Sequence, residues 1–193
     1  MAKKIVEDLS GFYRCHIATP TIVTVYADGR NNAMTAVWHS TLSFNPPLCG
    51  VSISPARDTH NLILDAKEFA LNFLPLKKAE LIAQVGGSHW SKVDKFKRFN
   101  IETEPPGKIK SPILKDAYAA YECKLFDHHT YGDHEWFAGE IVALHVEDGL
   151  FKDAGVLDFE RIKLALYLGS DNYITASSEE VRHLDRTEYG RSN

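Results

Sequence analysis

The sequence predicts a closed antiparallel Greek-key β-barrel, mainly β with helices inserted in blocks. Three observations point there. Runs rich in β-branched residues are separated by short turn signals. The hydrophobic period changes to helical spacing only in isolated blocks, THNLILDAKEF (59–69), KKAELIAQVGG (77–87) and KVDKFKRF (92–99). The regular alternation of strand and helix that a parallel doubly wound sheet requires is missing.

The elements follow in order. TIVTVYA (21–27) is a strand that stops at Asp28-Gly29, a strong hairpin turn signal. AMTAVWHSTLSF (33–44) reads as one strand, with Ala36, Trp38 and Ser40 on one face and Val37, His39 and Thr41 on the other; Pro46-Pro47 ends it. LCGVSIS (48–54) is nearly apolar at first and so is expected to be buried on both sides. In 59–69, Leu62, Ile63 and Ala66 fall at helical spacing, and Thr59 is the expected N-cap. FALNFL (69–74) returns to strand. The blocks at 77–87 and 92–99 are short helices, the first ended by glycines. TEPPGKIKSP (103–112) is proline-bearing extended loop. YAAYECKLFDHH (118–129) and EWFAGEIVALHVED (135–148) form an antiparallel hairpin with a polar end. The apolar RIKLALYLG (161–169) precedes a polar tail suited to extend over a partner.

At 193 residues the chain fits one domain, 1–193, able to bury its own core. Its charges are interspersed and net to −4, with no basic stripe, which argues against a nucleic-acid partner. MAKKIVEDLS lacks the apolar core of a signal peptide, and no apolar run reaches bilayer length, so no membrane is expected. Cys15, Cys49 and Cys123 are too far apart for a zinc ribbon or a disulfide framework, and Cys49 and Cys123 fall in apolar strands. A cytoplasmic protein with reduced thiols is expected.

Chemistry concentrates in SISPARDTHNLI (52–63). Ser52 and Ser54 alternate on one strand face, a turn follows with Arg57, and a helix opens at Thr59. Helix-start amides and a guanidinium together describe a candidate cradle for a phosphomonoester, with Arg57 the one cation this segment offers. A plain connection with a threonine cap and a solvated arginine is the alternative. In NNAMTAVWHS (31–40), small side chains would let the backbone approach a flat ligand while Trp38 walls it in; a barrel strand with a core tryptophan is the alternative. DHHTYGDH (127–134) admits a metal site, a catalytic loop or a polar hairpin end. On a strand His128 and His129 diverge, so at most one would join His134, a weak ligand set.

In order along the chain, these segments resemble the flavin reductase-like family, the FMN-binding split barrels that include flavoredoxins and small flavin reductases of two-component monooxygenases. The matching stretches are N-A-M-T-A-V-W with S-F-N-P-P (32–38, 43–47), V-S-I-S with R-D-T-H-N-L-I (51–54, 57–63) and F-A-L-N-F-L (69–74). G-G…D-K-F (86–96), Y-E-C-K-L (121–125) and G-D-H with G-E-I-V (132–134, 139–142) follow. The resemblance spans about residues 18–176, leaving 177–193 as an extension. It implies a homodimer binding FMN in a groove at the subunit interface. Met34, Thr35, Ala36, Val37 and Trp38 would face the isoalloxazine, partly through backbone atoms. Ser52, Ser54, Arg57 and Thr59 would hold the ribityl chain and phosphate. Lys95 would lie near the flavin, from either subunit, and His134 on the side where the donor stacks.

The implied activity is an FMN-dependent oxidoreductase, passing electrons from NAD(P)H or a protein donor to free flavin, a ferric chelate or a partner protein. No protein nucleophile is needed, and the sequence shows no G-x-S-x-G elbow and no dinucleotide-binding glycine fingerprint. A flavoredoxin-like carrier without nicotinamide activity, and a non-catalytic FMN-binding or metal-binding module, are the alternatives. Flavin colour and anaerobic bleaching by NAD(P)H separate the three.

Overall fold

The computed structural model describes residues 2–184 apart from 154, 178 and 180, so most of the polar tail, from 185 on, lies outside the described residues. The strands are β1 (Thr21–Ala27), β2 (Arg30–Ala36), β3 (His39–Phe44), β4 (Pro47–Ile53), β5 (Glu68–Phe73), β6 (Thr103–Glu104), β7 (Ile113–Leu114), β8 (Ala119–Tyr131), β9 (His134–Val146), β10 (Leu166–Gly169) and β11 (Asn172–Ile174). Helix α1 (Asp58–Ala66) lies between β4 and β5, and α2 (Ala79–Gly86) and α3 (Lys95–Arg98) between β5 and β6.

Seven strands form one antiparallel sheet in the order β2-β1-β5-β8-β9-β4-β3. The neighbours β4 and β9, far apart in sequence, make the Greek-key crossing around β5, β8 and β9. The sheet curls into a barrel whose outermost strands, β2 and β3, are consecutive in the chain, so Val37 and Trp38 form a corner that bridges the two edges. Ser52 N donates to Trp38 O at 2.8 Å, fastening that corner to β4. The sequence reading of 33–44 as one strand is therefore corrected. Alternation runs unbroken through Val37 and Trp38, but β2 pairs with β1 through the Asp28-Gly29 turn while β3 pairs with β4 at the other edge.

Val23, Val51, Ile53, Phe69, Leu71 and Phe137 fill the barrel, and α1 adds Leu62 and Ile63. A second cluster, including Ile22, Ile82 and Val85, packs α2 on the outside of β1 and β2. β1 is thus buried on both faces, which explains its unbroken apolar run. Two further expectations shift. Thr59 is not the cap of α1: the N-cap position is Arg57, with no side-chain cap, and Thr59 lies one residue inside the helix. The 103–112 segment, read as extended loop, opens with the short strand β6, and its remainder is pinned. Glu122, wholly buried, accepts from the backbone N–H groups of Gly107, Lys108 and Ile109 and from His145 Nε2 at 2.5 Å.

Cys49 and Cys123 are buried free thiols, as expected, with their sulfurs 3.4 Å apart inside the barrel. Among the described residues no helix is long and apolar enough to cross a membrane.

Candidate functional site

The cleft lies where the sheet edges meet. It encloses about 480 Å³ and is lined by Met34 to Trp38, by Ser52 and Ser54 at the end of β4, and by Arg57 and His134. Every sequence-predicted site residue except Thr59 and Lys95 lines this space, and those two line a smaller chamber that shares Met34, Arg57, Gly86 and His89 with it.

The residues divide by what their side chains already do. Thr35 Oγ1 donates to Ile82 O at 2.6 Å, so its side chain is committed to α2 and only the rest of the residue faces the cleft. Thr59 Oγ1 accepts from Asn32 Nδ2 at 2.7 Å. Asn32 itself is buried, and its Oδ1 has no partner. The Arg57 guanidinium makes no ion pair among the described residues, although its backbone is fixed by Arg57 N donating to Ser54 O at 2.9 Å. With no side-chain cap on α1, the Asp58 and Thr59 amides remain open donors beside that cation, while His60 N donates to Arg57 O at 3.0 Å.

Lys95 is 3% exposed and donates to Ala33 O at 2.6 Å and Val85 O at 3.1 Å. An ammonium has three donors, so one is left over on Lys95, which lines the chamber with Arg57. Burial pushes Lys95 down to about 8; the Asp58 carboxylate opposes the shift and Arg57 reinforces it. This chamber is therefore lined by two cations, where the 52–63 segment by itself offers one.

DHHTYGDH resolves into strand rather than loop. β8 runs through Tyr131, Gly132 and Asp133 make the turn, and His134 opens β9. The three histidines separate. His134 packs on Trp38 with ring centroids 4.9 Å apart and pairs through Nδ1 with Asp133 at 2.8 Å. His129 lies against Tyr131. His128 bonds Glu135, which also takes His60 Nε2 at 2.5 Å. Burial alone would raise Glu135, but the hydrogen bonds from His128 and His60 hold it below the ordinary carboxylate value. This buried link ties α1, which carries the cradle, to the hairpin that carries His134. No group of metal-ligating side chains is assembled among the described residues.

Sequence reasoning missed Asn32, Gly86 and His89 as lining residues. Asn32 stood inside a quoted stretch, but its burial follows from β2 pairing and α1 packing. Gly86 closes α2, where it was read only as a helix stop, and His89 follows in a polar turn with no local signal for a site.

The geometry matches known proteins. Residues 13–168 match the profile of the flavin reductase like domain. An uncharacterised protein from Pyrococcus abyssi is 34% identical over 141 residues, covering 72% of this chain and 81% of that one. An FMN-binding protein from Thermus thermophilus, solved with bound 1-cyclohex-2-enone, superposes with a TM-score of 0.83 at 36% identity, covering 95% of this chain and 99% of that one. Flavoredoxin from Methanosarcina acetivorans shares the fold, with a TM-score of 0.82 at 22% identity over 99% of this chain and 100% of that one. With the family profile matching most of its length and its fold shared with these structures, the chain belongs to the flavin reductase like domain family.

Proposed function

We propose that this protein is an FMN-dependent oxidoreductase that takes electrons from a reduced nicotinamide and delivers them to an acceptor such as free flavin, a ferric chelate or a partner protein. The observation that carries this is the cleft's set of unpaired groups. At one end stand the free Arg57 guanidinium, the open α1 amides and Lys95, which suit a single phosphate. Asn32 Oδ1, buried without a partner, offers an acceptor for a hydroxyl of the ribityl chain. Along the side, Met34, Ala36 and Val37 present a narrow wall on which a flat ring can rest. These groups fit a flavin mononucleotide, as does the likeness to a Thermus FMN-binding protein.

Bound flavin would supply the two-electron chemistry. The chain's residues bind and orient. Arg57 and Lys95 neutralise the phosphate, Ser52 offers a hydroxyl on the cleft wall, and Trp38 limits the ring's travel. His134 Nδ1 is tied to Asp133 at 2.8 Å, which turns Nε2 free at the cleft rim, placed to orient a donor.

The cleft is open on one side, and Leu42 and Phe44 stand exposed on the edge strand β3. A second copy pairing by a two-fold would cover both, so we assign a homodimer. Free cysteines accord with a cytoplasmic setting.

Visible absorbance of the purified protein, followed by anaerobic mixing with NADH or NADPH, tests the reading. Bleaching of bound flavin is expected. Persistent yellow would make the protein a carrier, and a colourless protein unable to take up FMN would overturn the assignment. His134→Ala is expected to slow bleaching severalfold while FMN affinity stays nearly unchanged.

A further inference from the structure

We propose that a second slot, behind Trp38, binds the adenosine diphosphate end of the nicotinamide donor; the inference rests on the oxidoreductase reading above. The slot encloses about 220 Å³ where the N-terminal segment crosses β10. Tyr13 and Tyr167 help wall it, and Val37 and Trp38 belong both to it and to the main cleft. A long ligand can therefore occupy both spaces, passing the corner between the sheet edges.

Three features select the ligand. The walls are aromatic: the Tyr13 and Trp38 rings lie 6.3 Å apart, and Tyr167 is braced by Tyr173 at 5.2 Å. Such faces favour a flat base. The slot is also held in shape. Ala18 and Tyr167 exchange backbone hydrogen bonds of 3.2 and 2.7 Å, and Trp38 O is fixed by Ser52 N, so little ordering remains to be done on binding. Finally, a cation stands beside it. The Arg14 guanidinium lies over the Tyr13 ring, hydrogen-bonds the Tyr13 hydroxyl at 3.3 and 3.4 Å, and has no carboxylate partner among the described residues. Its stem passes 3.8 Å from where a Cβ on Gly169 would sit, on the slot's wall. On a chain of net charge −4, a free guanidinium next to aromatic walls suits an anionic ligand with a planar end. A neutral ring compound would leave Arg14 unused.

The site requires no redox step for its test. ADP-ribose, which carries the adenylate but no nicotinamide, is titrated calorimetrically into the FMN-loaded protein. Binding is expected, weakened about tenfold or more by Tyr167→Ala and by the surface change Arg14→Ala, as loss of one stacked base or one charged contact predicts. In anaerobic reduction, the same variants should raise the KM for the dinucleotide by a similar factor. Their rate with reduced nicotinamide mononucleotide, which lacks the adenylate, should stay at the unsubstituted protein's level. Equal losses with both donors, or ADP-ribose affinity indifferent to both substitutions, would overturn the slot. If ADP-ribose binds through Tyr167 while neither donor bleaches the flavin, the slot stands and the oxidoreductase reading fails. If the donors bleach the flavin and ADP-ribose does not bind, the reverse holds.

Discussion

Arg57 is where a single side chain decides most. It is exposed, unpaired among the described residues, and fixed only through its backbone. Hydrogen bonds to charged groups contribute roughly 1.5–3 kcal/mol each, so Arg57→Ala should weaken FMN about tenfold to a hundredfold. Riboflavin shares the ring and ribityl chain without the phosphate, and its affinity should hold; a parallel loss of both would place the phosphate elsewhere. Lys95 adds a pH dependence whose sign follows from its burial. With its ordinary value of 10.5 depressed to about 8, Lys95 is a cation below pH 8 and loses its proton above it. FMN affinity should therefore fall as pH rises through about 8, by at most about tenfold per unit, while riboflavin stays level. The phosphate's own second ionisation, near pH 6, is complete by then and does not interfere. A flat FMN profile from pH 7 to 10, measured by fluorescence quenching, would remove Lys95 from the cradle. Of these two cations, Arg57 was legible from its own surroundings, because strand end, turn and helix start are local. Lys95 came only through resemblance, since α3 reaches Ala33 by long-range packing.

Among the elements, the β8–β9 hairpin supports the most. It spans the barrel and carries His134 at its turn. Its path past Phe69 depends on Gly139: an added Cβ would lie 2.6 Å from Phe69 Cζ and 2.8 Å from Cys123 Cβ. Both neighbours are fully buried, so neither side chain has room to withdraw. Gly139→Ala should cost about 3 kcal/mol, at the upper end of ordinary overpacking. For a chain of this size that is a Tm lower by on the order of 10 °C in calorimetry. An unchanged Tm would mean that the barrel wall yields there. Hairpins such as β1–β2 and β8–β9 were readable because a turn signal and two apolar runs are adjacent in sequence. The break between β2 and β3 was not, because nothing local distinguishes a strand that continues from one that changes edge. Thr59 misled for the opposite reason: its preference for a cap is real, but its hydroxyl is used by Asn32 from a distant strand.

For the whole molecule, the prediction is assembly. An open cleft and exposed Leu42 and Phe44 call for a second copy, and sedimentation equilibrium should give twice the chain mass with flavin bound. A monomer that still holds flavin tightly would show that one chain completes the site. Barrel class and helix blocks were visible in the sequence, whereas the meeting of the sheet's two edges, which creates the cleft, was not. That meeting has a further consequence. Since β2 and β3 are consecutive, the corner at Val37 and Trp38 works as a ruler: chain length, not side-chain bulk, sets how far apart the two edges stand. Substitution along the cleft alters what it holds, but only insertion or deletion at the corner alters its bore. Relatives that accept wider or narrower ligands would thus differ there in residue count before they differ in residue type.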